Sequence, residues 1–270
     1  MPTPRLAGLG LATMATVALS LTGCGDGGTA TTGASAPAAS GGASATASVS
    51  AADPAAVAAL TKATSQLGTT SFKVTATSGA GFKLTGAVDP AQSNGTADLS
   101  ATGPNAEINI KTRLAGQDLY LQVPGITKAG TWTHVDVSRL PEGVNVGLRP
   151  GQIDPANTAK LLTSTTDVQQ VDARSFKGSL DLSKATGITG LDKVTVDSLG
   201  ANAQNVPFTA GLDEQGRLSA LTIQLPAVNG QPSPPLEVLY SDYGTTVDAK
   251  RPAAAEITEA APNVYTTLGG

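Results

Sequence analysis

The chain has 270 residues and a single cysteine, Cys24, so no intramolecular disulfide can form. It has one histidine, His134, which removes His-based metal clusters and leaves a catalytic triad no choice of base. Aromatic residues make up 3% and charged residues 14%, so a core has to be built from Val, Leu, Ile and Ala. Lys and Arg number 17 against 21 Asp and Glu, for a net charge of −4, and they are scattered. Without a basic cluster, neither nucleic acid nor a polybasic membrane contact is expected. No Gly-Lys-Ser/Thr occurs and no Gly-x-Gly-x-x-Gly follows a strand pattern, so phosphate loops are excluded. The longest apolar run, Leu6 to Leu21, is broken by Gly10, Thr13, Thr16 and Ser20 and falls short of the ~20 residues of a membrane-spanning helix. No cofactor, no metal and no covalent chemistry are expected.

What is present begins with that run. Arg5 supplies a positive start, and Leu9, Leu11, Met14, Val17, Leu19 and Leu21 an apolar middle. Leu21-Thr22-Gly23-Cys24 then resembles the bacterial lipobox, a Leu and two small residues before a Cys. That resemblance implies a diacylglyceryl group on Cys24 and cleavage just before it. The alternative is an ordinary cysteine in a signal. Position at the end of the apolar run, the absence of a pairing partner, and the flexible tract that follows all favour lipidation. Two acyl chains suffice for stable anchoring, where one does not. Residues 1–23 are thus read as a signal peptide and 24–52 as a lipidated Cys with a tether. Gly25 to Ala52 is almost wholly Gly, Ala, Ser and Thr. As a flexible coil of about 28 residues it reaches ~30 Å. The expected location is the extracytoplasmic face of a cell membrane.

Residues 53–252 carry the folded domain. Asp53-Pro54 is an N-cap followed by proline at the first helical position, and a helix runs on to Leu67 with Val57, Leu60, Ala63, Thr64 and Leu67 as its stripe. The period then changes to two. Phe72, Val74 and Ala76, then Phe82 and Leu84, then Ile108, Ile110, Thr112 and Leu114, then Leu119, Leu121 and Val123, then Val135 and Val137 alternate with polar residues. Asn94-Gly95 reads as a hairpin turn. Ser138 to Gly151 reads as a loop, and Asp154-Pro155 opens a short helix to Leu162. Val168 to Val171 and Ser175 to Leu182 form a hairpin. In Lys184 to Leu199 the spacing of Ile188, Leu191, Val194 and Leu199 fits a helix, while Val194-Thr195-Val196 fits a strand. Three strands close the domain: Val206 to Leu212, Arg217 to Leu225 and Leu236 to Tyr240. Residues 253–270 read as a loose tail with little to bury.

Ten or eleven strands with two or three helices give an α+β fold. Its sheet is a large curled antiparallel half-barrel with a few helices packed on the concave face. His134 has Trp132 and Asp136 on its own strand face. A general base paired with Asp136 is weaker than a partly exposed strand histidine beside an acid. Asp213-Glu214 is read as a solvated hairpin tip. Tyr120, opposite Leu119 and Leu121, is either exposed or packed under the loop at Ser138. The inward alternates Phe82, Leu84, Ile108, Ile110, Leu119, Leu121, Phe208, Leu221 and Ile223 are candidate cavity-lining residues, with core packing as the default for each.

Asp118-Leu119-Tyr120-Leu121-Gln122-Val123 followed by Trp132, Asp213-Glu214-Gln215-Gly216-Arg217-Leu218, Tyr240-Ser241-Asp242-Tyr243-Gly244, and Val247-Asp248 before Pro252 occur in that order. Together with the lipobox, this order resembles the actinobacterial LppX/LprA/LprF/LprG lipoproteins, whose fold is similar to that of LolA and LolB. The resemblance implies a half-barrel over an apolar cavity. It also implies an acylated lipid or lipoglycan as ligand, bound and transferred without enzymatic chemistry. The membrane, reached through Cys24, is one expected partner and a transporter is a further one to be considered. The alternative is a surface lipoprotein without lipid cargo, acting as a structural or protein-binding module.

Overall fold

The structure is a computed structural model that describes residues 51–102, 107–140, 148–149, 153–184, 196–197, 199–227 and 230–269. All lie in the second of the two units into which the chain divides, Ser48–Gly270. The signal, the lipobox, nearly all of the tether and most of Lys184 to Leu199 lie outside the described residues.

Helix α1 (Pro54–Ser65) starts where the proline pattern places it. Asp53 Oδ1 accepts from the Ala55 N–H at 2.9 Å, and a 3-10 turn at Gln66–Gly68 ends the element. Its buried stripe is Ala56, Leu60, Ala63 and Thr64, continued by Leu67; Val57, expected inside, is exposed. Rotation by one residue puts the small Ala56 inside in place of Val57.

Among the described residues the sheet has twelve strands, more than the ten or eleven expected. They are β1 (Phe72–Ser78), β2 (Phe82–Asp89), β3 (Asn94–Thr102), β4 (Glu107–Ala115), β5 (Asp118–Gln122), β6 (Trp132–Val135), β7 (Gln169–Gln170), β8 (Ser175–Leu180), β9 (Val206–Leu212), β10 (Leu218–Ile223), β11 (Leu236–Ser241) and β12 (Ile257–Glu259). Their order is β12-β6-β5-β4-β3-β2-β1-β11-β10-β9-β8-β7, so the sheet is open, with two short strands at its edges. Every pairing is antiparallel except β12 with β6. The register aligns one apolar face across the sheet. Val74, Gly86, Ala97, Thr112 and Leu121 form one row, and Phe72, Val88, Gly95, Leu114 and Leu119 the next.

Helix α1 and the short α2 (Thr158–Leu162) contact one another over this concave face, with Leu60, Leu67, Leu161 and Leu162 in the same core as the strand residues. The α+β half-barrel read from the alternation is therefore the fold of the chain.

Three local expectations change. Asn94-Gly95 is not a turn: the turn is Pro90–Ser93, with Ser93 at φ 52°, and Asn94 already pairs with Asp89 in β3. Gly95 sits there because a Cβ would stand 2.9 Å from Val88 Cγ1 and 3.0 Å from Leu148 Cδ1. Helix α2 begins at Thr158, three residues after Pro155, because Asn157 takes a left-handed φ of 53°. The Asp154 carboxylate bridges that kink by accepting from the Ala156 and Thr158 N–H groups at 3.1 and 2.7 Å. The tail is ordered. Strand β12 pairs with β6, and α3 (Pro262–Gly269) buries Val264 and Tyr265. Tyr265 Oη accepts from the Asp136 N–H at 3.0 Å, and the Arg139 guanidinium stacks 4.0 Å over its ring. These few apolar groups suffice because the strand ladder supplies the remaining contacts.

Candidate functional site

The nine cavity candidates separate into two groups. Leu84, Leu119, Leu121, Phe208, Leu221 and Ile223 are buried in the packed core. Phe82 and Ile110 are half-buried, and Ile108 is 49% exposed. The second group is contiguous. Phe82 stands opposite Ala101, which stands opposite Ile108; one row further in, Leu84, Leu99 and Ile110 are aligned in the same way. Along these strands the concave face passes from closed, at Leu84, to open, at Ile108. The open floor spans the two strand spacings from β2 to β4, about 10 Å.

Two cavities among the described residues lie elsewhere. One, of about 380 Å³, is lined by Leu67, Pro90, Ser93, Ile153, Asp154 and Asn157 among others. The other, of about 230 Å³, lies between α1 and α2 against Leu60, Thr64, Leu162 and Val168. None of the nine sequence candidates lines either. The larger is in the lower part of the range for small-molecule sites.

Behind that larger cavity is a polar network that the sequence did not suggest. The Tyr240 hydroxyl donates toward Asp154, both of whose oxygens are 3.1 Å away, and lies 2.6 Å from Thr158 Oγ1. Burial pushes the Asp154 carboxyl above its usual value, against the backbone donors and the Tyr240 hydroxyl, which pull it down. Burial, then the Asp154 charge, pushes the Tyr240 phenol well above its ordinary value. With Ala156, Thr158 and Tyr240 all donating, the carboxylate is engaged in holding α2 to β11. The Asp-x-x-x-Thr spacing of 154 and 158 was the available signal.

His134 does not pair with Asp136, which instead accepts from Ser138 Oγ at 2.6 Å. Its Nε2 is 3.1 Å from Asp118 Oδ1 and its Nδ1 3.0 Å from Glu259 Oε2. The two carboxylates take opposite ring nitrogens, so the trio does not converge on a cation. Among the described residues no group of His, Cys, Asp or Glu is placed to hold a metal. Most of the Ser138 loop lies outside the described residues, and Tyr120 is not exposed. It is fully buried on the convex face, its ring 5.3 Å from that of His134. Burial, then Asp118, raises its phenol pKa. Asp213 closes its hairpin by accepting from the Gln215 and Arg217 N–H groups at 2.9 Å each and from Arg217 Nε at 2.6 Å. Glu214 is left exposed at the tip.

Taken together, the described residues form an open, mostly antiparallel twelve-stranded half-barrel, helix-covered over part of its concave face, with an apolar floor exposed at one end. No family model matches it, and no curated protein matches it. No helix among the described residues is long and apolar enough to cross a membrane.

Proposed function

We propose that this chain is a lipid-anchored extracytoplasmic protein that binds the acyl chains of an amphiphile on the open end of its concave face. The observation that carries this reading is the row from Leu84 through Phe82 and Ile110 to Ile108, apolar throughout and uncovered at its far end. Seating an alkyl chain there is worth roughly 0.8 kcal/mol per CH₂ removed from water. Affinity then follows chain length, with little head-group readout. The lipobox resemblance at Cys24 supplies the anchor, and the order of motifs shared with the LppX/LprG lipoproteins points to lipid or lipoglycan as cargo. No enzymatic step is proposed.

A second reading has an observation of its own. Six of the nine candidates are packed in the core, as expected of a structural or protein-binding module without lipid cargo. Binding of a fluorescent fatty-acyl probe to the mature chain separates the two. The carrier reading predicts saturable uptake that Ile108→Asp abolishes and that a substitution at Val171, exposed beside the edge strand β7, leaves intact. No uptake, or uptake indifferent to Ile108→Asp, favours the module.

A further inference from the structure

The C-terminal segment reaches its place by crossing the outside of the sheet. From β11, at the middle, it is fastened to the start of β1 by Gly244 N–H to Ser71 O at 2.8 Å and Ser71 Oγ to Thr245 O at 2.6 Å. It then passes over the convex face, where Lys250 O accepts from Arg113 Nη1 at 3.1 Å. It ends as β12 on the outer side of β6, held by three residue pairs: Ile257 with Trp132, Thr258 with Thr133 and Glu259 with His134. A strand held by three pairs at a sheet edge is a thin attachment.

Two observations converge under this strap. Arg113 Nε has no hydrogen-bond partner among the described residues, and the Tyr120 hydroxyl beside it has only the Asp118 carboxylate nearby, outside good hydrogen-bond geometry. They belong to direct cross-strand neighbours in β4 and β5. Buried polar atoms left unpaired raise the free energy of the closed arrangement, and hydration on opening relieves it. The second observation is the position of His134, between Asp118 of β5 on one side and Glu259 of β12 on the other. An imidazolium donates through both nitrogens, one bond to each carboxylate. A neutral ring has one N–H and must turn a lone pair toward one of the two.

We propose that His134 is a proton-operated clasp for the C-terminal strap. Charged, it holds β12 against β6; neutral, it loosens β12 and uncovers Tyr120 and Arg113. The other groups facing it are consistent with this sign. Tyr120 of β5 lies against its ring, and Asp136, just past the end of β6, is a further acid nearby. Among the cations of these elements, Arg113 of β4 is engaged over Trp132 at 4.6 Å, and Arg251 of the strap acts on Tyr120. Imidazole is the side chain whose unperturbed charge change falls between about pH 5 and 8, so that is the interval in which the clasp is tested.

The test is amide hydrogen exchange on the full mature chain carrying Cys24→Ser, with rates corrected for the intrinsic effect of pH. Protection of Ile257 to Ala260 is expected to fall about fivefold from pH ~5.5 to pH ~8, the scale of one partly exposed ion pair. Amides of β9 and β10 should not change. His134→Gln should remove the dependence, and Glu259→Gln should reduce it if the first variant fails to fold. Trp132, the one tryptophan, sits at the clasp and its emission should titrate with the same midpoint in the unsubstituted chain. Protection of β12 that is flat with pH, or a slope unchanged in either variant, overturns the proposal.

Discussion

Two tight positions show how closely single residues are specified. A Cβ on Gly178 would stand 2.8 Å from Phe208 Cε1 and 3.2 Å from the Val168 backbone, so Phe208 packs flat across the strand only because nothing projects there. Gly178→Ala is expected to cost about 1–3 kcal/mol through overpacking, read as a lower Tm. Tyr240→Phe removes the donor that ties α2 to the sheet and should cost about 1–2 kcal/mol. The pH effect at Asp154 has a defined sign. Its folded-state pKa lies above the unfolded value near 3.8, so the native chain holds the proton more tightly. Its contribution is then greatest below that value and declines as pH rises through the folded pKa. Denaturant titrations of the unsubstituted and Tyr240→Phe chains across that interval should show a steeper decline in the variant, whose carboxyl is raised further. These contacts were not legible beforehand: 86 positions separate Asp154 from Tyr240, and only folding brings them together.

At the level of elements, the strands were legible because period-two alternation is imposed by the pleat and needs no knowledge of partners. Helix α1 was legible from Asp53-Pro54, but its rotation was not. Whether Ala56 or Val57 faces inward depends on how close the neighbouring elements come, which a stripe of small residues does not encode. The tail failed for a related reason. Three residue pairs, of which only Ile257 with Trp132 is apolar, do not announce a strand when the partner, β6, lies over a hundred residues away. The hairpin from β9 to β10 gives a prediction of opposite sign to that at Asp154. Burial pushes Asp213 up, but the Arg217 N–H and guanidinium, with the Gln215 N–H, hold it below the usual range. Its contribution is present above the unfolded value near 3.8 and is lost as pH falls through the lower, folded one. Asp213→Asn should therefore flatten the acid limb of the stability profile, as measured by thermal melts below about pH 5. On the concave face, Leu84→Ala should cost about 2–5 kcal/mol and Ile108→Ala under about 0.5 kcal/mol, because only the first opens a cavity.

For the whole molecule, the half-barrel and the candidate floor follow from one circumstance. The sheet presents more inward apolar surface than α1 and α2 cover, and Phe82, Leu99, Ile108 and Ile110 mark where the described cover ends. The sequence indicated which side chains point inward but not which of them would be reached by a helix, since that depends on where the covering elements land. Hence six of nine candidates became core, two are half-buried at its edge and one, Ile108, is exposed. Anchoring is a separate expectation at the same scale. Cys24→Ser should move the protein from the membrane fraction to the soluble one, as followed by fractionation and immunoblotting. Retention in the membrane would remove Cys24 from the account. The central claim is tested most directly by purifying the mature chain with Cys24→Ser from cells, extracting it with organic solvent, and weighing the extract by mass spectrometry. Acyl-lipid binding predicts one co-purifying species class near molar stoichiometry, depleted in Ile108→Asp. An extract free of acylated molecules from a correctly folded chain would contradict it.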